Sequence, residues 1–199
     1  MSRIFAAAVL CAAVEAAAEW TINYIPASSE MEIKVTADDN SWTGFVFGHG
    51  GMTVGSDMLV FSANGAASSS IGDYESVGEV MPKVSATNNW TKGANWAVKG
   101  TDGRMTMTAR RAVDSNDATD YVFPIDTKTE IGWAHYSKSS VMTVEHEGAG
   151  HKDVTFVAAG SSMTGTSADH ESDHSDHDDA VTVTAGTMAA AAVVLMALQ

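Results

Sequence analysis

Met31, Ile33 and Val35 alternate with Glu32, Lys34 and Thr36, the period of two that buries one face of a strand and wets the other. Comparable apolar or alternating stretches occupy residues 42–47, 58–62, 96–98, 105–109, 121–125, 131–136 and 154–158. Clusters of Gly, Asn, Asp and Ser separate them, the residue types that accept tight-turn backbone. No stretch carries a long apolar stripe at the helical period. Many short strands joined by polar turns predict an all-β fold, an antiparallel sandwich. The segment so marked, residues 19–160, is long enough to bury a substantial core.

The first eighteen residues differ. Arg3 precedes the apolar run 4–14, and Ala16, Ala17 and Ala18 supply the small residues of a cleavage site, which together predict a secretory signal cut after Ala18. Glu15 interrupts a run already too short to span a membrane. The single cysteine, Cys11, lies inside this leader. The mature chain would then have no disulfide, no thiolate metal site and no covalent c-type haem.

Composition shifts again after Gly160. Residues 161–180 are rich in Ser, Asp and His, and Asp169, Glu171, Asp173, Asp176, Asp178 and Asp179 concentrate acidity there. Such a tract cannot bury apolar surface and reads as a solvated stalk. His170, His174 and His177 within it form a weak candidate site for Cu²⁺ or Zn²⁺. Residues 181–199 are apolar with no basic residue behind them, the pattern of a glycolipid-anchor (GPI) addition signal, with Ser172 and Ser175 as attachment candidates. An uncleaved membrane tail is the alternative. Both readings tether the chain to the outer membrane leaflet. Asn89-Trp90-Thr91 is a glycosylation sequon, as export would allow.

Overall charge is −14, from 11 Lys+Arg against 25 Asp+Glu, which excludes nucleic acid as a natural partner because phosphate binding needs a basic face. No GxSxG, P-loop or usable cysteine signals a nucleophile. What remains is a set of soft or borderline ligands: Met52, Met58, Met105, Met107, His49, His135, His146 and His151. Thioether and imidazole together hold haem iron in many electron-transfer cytochromes. A buried Met is more often packing and a lone His more often structural, so composition alone does not choose among them.

Pattern narrows the choice. The stretch 50–61, Gly-Gly-Met-Thr-Val-Gly-Ser-Asp-Met-Leu-Val-Phe, resembles the first haem-ligand segment of DOMON domains, the dopamine β-monooxygenase N-terminal type. Pro82 downstream also fits. Residues 108–117, with Arg110, Arg111, Asp114 and Asp117, resemble that family's Arg-x-x-x-Asp-x-x-Asp turn. Ile131-Gly132-Trp133-Ala134 resembles its apolar Trp-Ala strand, and Glu145-His146 its second ligand segment.

The resemblance covers residues 20–160 and comes nearest to the b-type cytochrome domains of cellobiose dehydrogenases and of plant apoplastic, lipid-anchored cytochromes. It implies an immunoglobulin-like sandwich clamping haem b non-covalently between Met52 and His146. Met52 is followed by two residues before Gly55-Ser56 where many members have one, which keeps Met58 in reserve. His151 is the reserve for His146. Arg110 or Arg111 would meet a haem propionate or pin the turn through Asp114, Asp117 or Asp120, and the second is preferred. A calcium loop from those aspartates lacks the glycine and glutamate of an EF-hand.

The implied function is a single-electron carrier outside the cell, serving an extracellular reductant or redox partner, rather than a complete enzyme. The alternative is a haem-free DOMON module that binds carbohydrate through Trp42, Trp90 and Trp96 or acts in surface adhesion.

Overall fold

The computed structural model describes residues 18–142 and 146–166 and the backbone of residues 184–185. The leader up to residue 17, the acidic tract with His170, His174 and His177, Ser172 and Ser175, and the side chains of the apolar tail lie outside the described residues.

Two six-stranded antiparallel sheets pack face to face. In chain order the strands are β1 (Glu19–Ile25), β2 (Glu30–Ala37), β3 (Ser41–Phe47), β4 (Asp57–Ala63), β5 (Ser70–Glu75), β6 (Lys83–Val84), β7 (Thr91–Lys99), β8 (Met105–Ala112), β9 (Lys128–Tyr136), β10 (Gly148–Thr155), β11 (Ser161–Thr166) and β12 (Thr184–Ala185), with one short helix, α1 (Gly65–Ser68), after β4. The first sheet runs β12-β11-β1-β2-β8-β7 and the second β10-β9-β3-β4-β5-β6. The all-β sandwich expected from the alternation is therefore the fold.

The inner faces meet as the period of two dictates. Ile22, Ile33, Val35, Met105 and Met107 from the first sheet pack on Phe45, Phe47, Leu59, Phe61 and Ile131 from the second. Aromatic rings fill the middle, with Trp20 edge-on to Phe45 and Phe47 edge-on to Phe123, geometries favoured by the ring quadrupole. Met105 and Met107 are packing, as most buried methionines are.

Two boundaries move. Residues 121–125 form no strand; only Ile125 makes a bridge, to Phe156. The sandwich also continues past Gly160, because β11 pairs along β1 and buries Met163. Its Ser- and Thr-rich composition reads as stalk, yet one buried methionine and a backbone ladder suffice to hold it in the sheet. No helix among the described residues is long and apolar enough to cross a membrane.

Candidate functional site

The outward face of the second sheet is unusual for a sandwich, where outward positions are ordinarily polar. Trp42, Val46, Met58 and Val60 are all at most 8% exposed, yet none belongs to the inter-sheet core. The register explains it. One rung across the sheet reads Tyr74–Met58–Val46–Gly132–His151, and the next Gly72–Val60–Gly44–Ala134–Ala149. Alternation points every one of these residues away from the core. Small residues stand between the larger ones, and Trp42 lies 6.5 Å from the Tyr136 ring at one side. The result is an apolar outward face whose large side chains are almost wholly covered, and Met58 belongs to it and not to the inter-sheet core.

The segment joining β3 to β4, residues 48–56, closes the other side and carries Met52, which is half-buried. Gly48 begins the segment at φ +82°, a conformation that favours glycine, and the Tyr121 ring occupies the place a side chain would take. Gly50 then settles on the sheet. A Cβ on Gly132 would lie 2.9 Å from the Gly50 carbonyl oxygen, and a Cβ on Gly50 would lie 2.9 Å from Cγ of His151. The Met52 segment is thus packed directly against the strand positions of Gly132 and His151. The His151 imidazole is 64% exposed, with Nε2 3.6 Å from Glu130.

His146 lies elsewhere. Its neighbour Glu147 donates its amide to the His135 carbonyl, at the β9–β10 hairpin. Since β9 runs antiparallel to β3, that hairpin is at the opposite end of the sheet from the β3–β4 connection. Gly132 and His135 are separated by roughly 10 Å of strand at ~3.3 Å per residue, and His146 lies further out still, exposed. The structure packs the Met52 segment, through Gly50, against the strand position of His151 and sets His146 at the opposite end of the sheet.

The remaining histidines have other places. His135 is buried, with Nδ1 3.0 Å from the Thr43 hydroxyl, and burial pushes its imidazole below the ordinary value. His49 is exposed.

Beneath the Met52 segment lies a polar cluster that the sequence reading only partly anticipated. The Arg111 guanidinium, 1% exposed, stands 2.7 Å from Asp57 and 3.4 Å from Asp120, donates to the Tyr121 carbonyl, and rests 4.6 Å from the Trp90 ring centroid. Pairing with Asp120 pins the turn as expected. Asp114 and Asp117 instead cap local amides of Asn116 and Thr119, and Arg110 pairs with Glu32 on the surface of the first sheet.

Asp73 completes the cluster, accepting the Asn89 amide at 3.1 Å. Burial pushes its carboxyl up to about 6, against the lowering effect of that hydrogen bond. Asp57 is raised too, burial outweighing the adjacent guanidinium. A cavity of about 180 Å³ lined by Ser56, Asp57, Asp120 and Tyr121 reaches this region. The side chain of Asn89, the sequon residue, donates to Asp117 at 3.3 Å.

Trp42 and Trp90 are buried, and Trp96 stacks on Phe61 at 6.3 Å. They do not form a shared exposed platform for a sugar.

The sandwich has counterparts among solved structures. The chain superposes on the cytochrome b domain of pyranose dehydrogenase from Coprinopsis cinerea with a TM-score of 0.54 at 18% identity, covering 69% of this chain and 75% of that one. The cytochrome domain of Myriococcum thermophilum cellobiose dehydrogenase gives 0.51 at 13% identity, covering 68% and 73%. No curated protein matches the chain significantly. Residues 15–136, more than half of the sequence, match the family model of the DOMON domain, and the chain belongs to the DOMON family.

Proposed function

We propose that this domain binds haem b non-covalently at the apolar outer face of the second sheet and passes single electrons. Met52 and His151 are the residues assigned to hold the iron. The observation that carries the assignment is the contact of the Met52 segment, through Gly50, with His151, beside the small residues Gly44, Ala134 and Ala149 on the same face. The two similar solved structures are both cytochrome domains, which supports the reading.

When bound, the haem supplies a one-electron couple, and a thioether ligand raises its potential. The chain's own residues do the rest. Met52 offers a soft donor from a segment held at both ends, and His151 offers an imidazole from a paired strand. Val46, Met58 and Val60 make that face apolar, and Trp42 and Tyr136 flank it. Glu130 lies where it can orient the His151 ring, a role second partners commonly play for ligating histidines. No acid, base or nucleophile is needed for such a carrier.

The same proposal includes export by the leader, a tether to the outer leaflet through the tail, and an extracellular reductant or redox enzyme as partner. The leader and tail sequences support the first two.

The deciding experiment is the absorption spectrum of the full chain purified with haem available, before and after dithionite. A sharp Soret band with resolved α and β bands on reduction is expected. Met52→Ala and His151→Ala should each abolish this low-spin signature, and His146→Ala should leave it intact. A well-folded but colourless protein would overturn haem binding. Loss of the signature in His146→Ala but not in His151→Ala would overturn the ligand assignment alone. Release of the protein from cells by a phospholipase C that cuts glycolipid anchors tests the tether.

A further inference from the structure

We propose that Asp57, Asp73 and Asp120 form a binding site for a hard divalent cation, calcium foremost, beneath the Met52 segment. One oxygen from each carboxylate lies within 4.8 Å of the others. Calcium takes six to eight oxygen ligands at about 2.3–2.6 Å in flexible geometry, which suits carboxylates fixed by the fold, whereas magnesium demands a near-ideal octahedron. All three side chains are no more than 3% exposed. Among the described residues Arg111 is the one cation facing them. Three buried carboxylates against one guanidinium leave two negative charges to balance, and a buried excess charge of that size is costly.

A second, independent feature points to a ligand. Ser56 is 5% exposed, its hydroxyl makes no hydrogen bond, and the residue borders the 180 Å³ cavity together with Asp57 and Asp120. Oδ1 of Asp57 and Oδ1 of Asp73 are likewise buried without a hydrogen-bond partner. Unsatisfied buried oxygens are rare in folded proteins and call for an occupant. Donors that are all oxygen select a hard cation over zinc or copper. His49 borders the same cavity, but it is exposed. The site uses none of the residues assigned to haem, so it stands or falls separately from that reading.

The test uses the full chain, freed of divalent ions by a chelator, with calcium chloride titrated calorimetrically and thermal unfolding followed in parallel. One calcium per chain should bind and raise the melting temperature. Asp73→Asn keeps an oxygen for the Asn89 amide and should fold, yet lose about tenfold or more in calcium affinity. Asp120→Asn serves as a second variant and should show the same loss, so a failure of either to fold does not leave the question open. Absence of both heat and thermal shift with calcium would overturn the site. Unchanged affinity in both variants would also overturn it, locating the ion elsewhere, such as the acidic tract. Tighter binding of magnesium than calcium would overturn the choice of ion.

Discussion

Gly50 and His151 are in direct contact: the space a Cβ would occupy on the glycine lies 2.9 Å from the imidazole Cγ. This contact fixes the segment carrying Met52 to the strand carrying the histidine. It gives the two proposed donors a common place in the fold that neither residue has by itself.

The contact predicts a graded series of glycine substitutions. Gly132→Ala would set a Cβ 2.6 Å from Val46 Cγ1 and 2.9 Å from the Gly50 carbonyl; a backbone oxygen and a stiff β-branched side chain yield little, so a loss of about 1–3 kcal/mol is expected. At Gly50 the obstacles are the His151 ring and the flexible end of Glu130, so about 1 kcal/mol is expected. At Gly51 nothing lies within 4 Å, and alanine there should change stability by less than about 0.5 kcal/mol. Urea unfolding of the three variants checks the order. A Gly51 effect as large as that of Gly132 would contradict the docking of this segment.

Arg111 should be the costliest single side chain to remove. Its loss leaves Asp57, Asp120 and Asp73 buried with no counterion among the described residues, and strips the Tyr121 carbonyl and Trp90 ring of a partner. Breaking a buried pair from one side costs about 3–5 kcal/mol. Arg111→Met should therefore unfold at much lower urea than Arg110→Met. Arg110 pairs with Glu32 at the surface, with side-chain exposure of 37%, and such pairs contribute about 0–1 kcal/mol. Equal effects would show that the guanidinium is not the centre of the cluster.

Much of this fold is legible in the sequence because alternation and burial coincide. β2 shows it plainly, with Met31, Ile33 and Val35 on the core. β3 is visible for a different reason: it is buried along its whole length, since its outward face is covered as well. What failed to show are features set by partners distant in the chain. Residues 121–125 have strand composition, but the Tyr121 amide and carbonyl are taken by Asp57 and Arg111. β11 looks like stalk because its one apolar anchor, Met163, gives no periodicity. The separation of His146 from His151 is invisible along the chain: His146 precedes β10 and His151 lies within it, and only the register against β9 shows that they stand toward different ends of the sheet. Asp57 and Asp73 resemble ordinary polar positions of alternating strands. Only the sheet pairing, which sets Asp73 opposite Leu59, reveals that both face inward.

Met52 and His151 also predict a direction for the potential. Replacing the thioether by a second imidazole, as Met52→His, favours the oxidised ion and should lower the midpoint measured by spectroelectrochemical titration, with a low-spin spectrum retained. Unchanged potential with an unchanged spectrum would mean that Met52 is not a ligand.

Asp73 sets a pH dependence of stability whose sign follows from its raised carboxyl. The ordinary value is 3.8 and the folded value about 6, so between those limits the folded state holds a proton that the unfolded state has released. Stability from this group is full below pH ~4 and is lost as pH climbs to ~6. At 1.36 kcal/mol per pKa unit the swing is at most about 3 kcal/mol. With divalent ions removed, Asp73→Asn should flatten the stability profile across that window and leave the variant more stable than the parent at pH 7. Unfolding by urea at a series of pH values in chelator measures both curves. Parallel curves for the two proteins would mean that Asp73 is ionised in the folded state throughout and that the cluster balances its charge by other means.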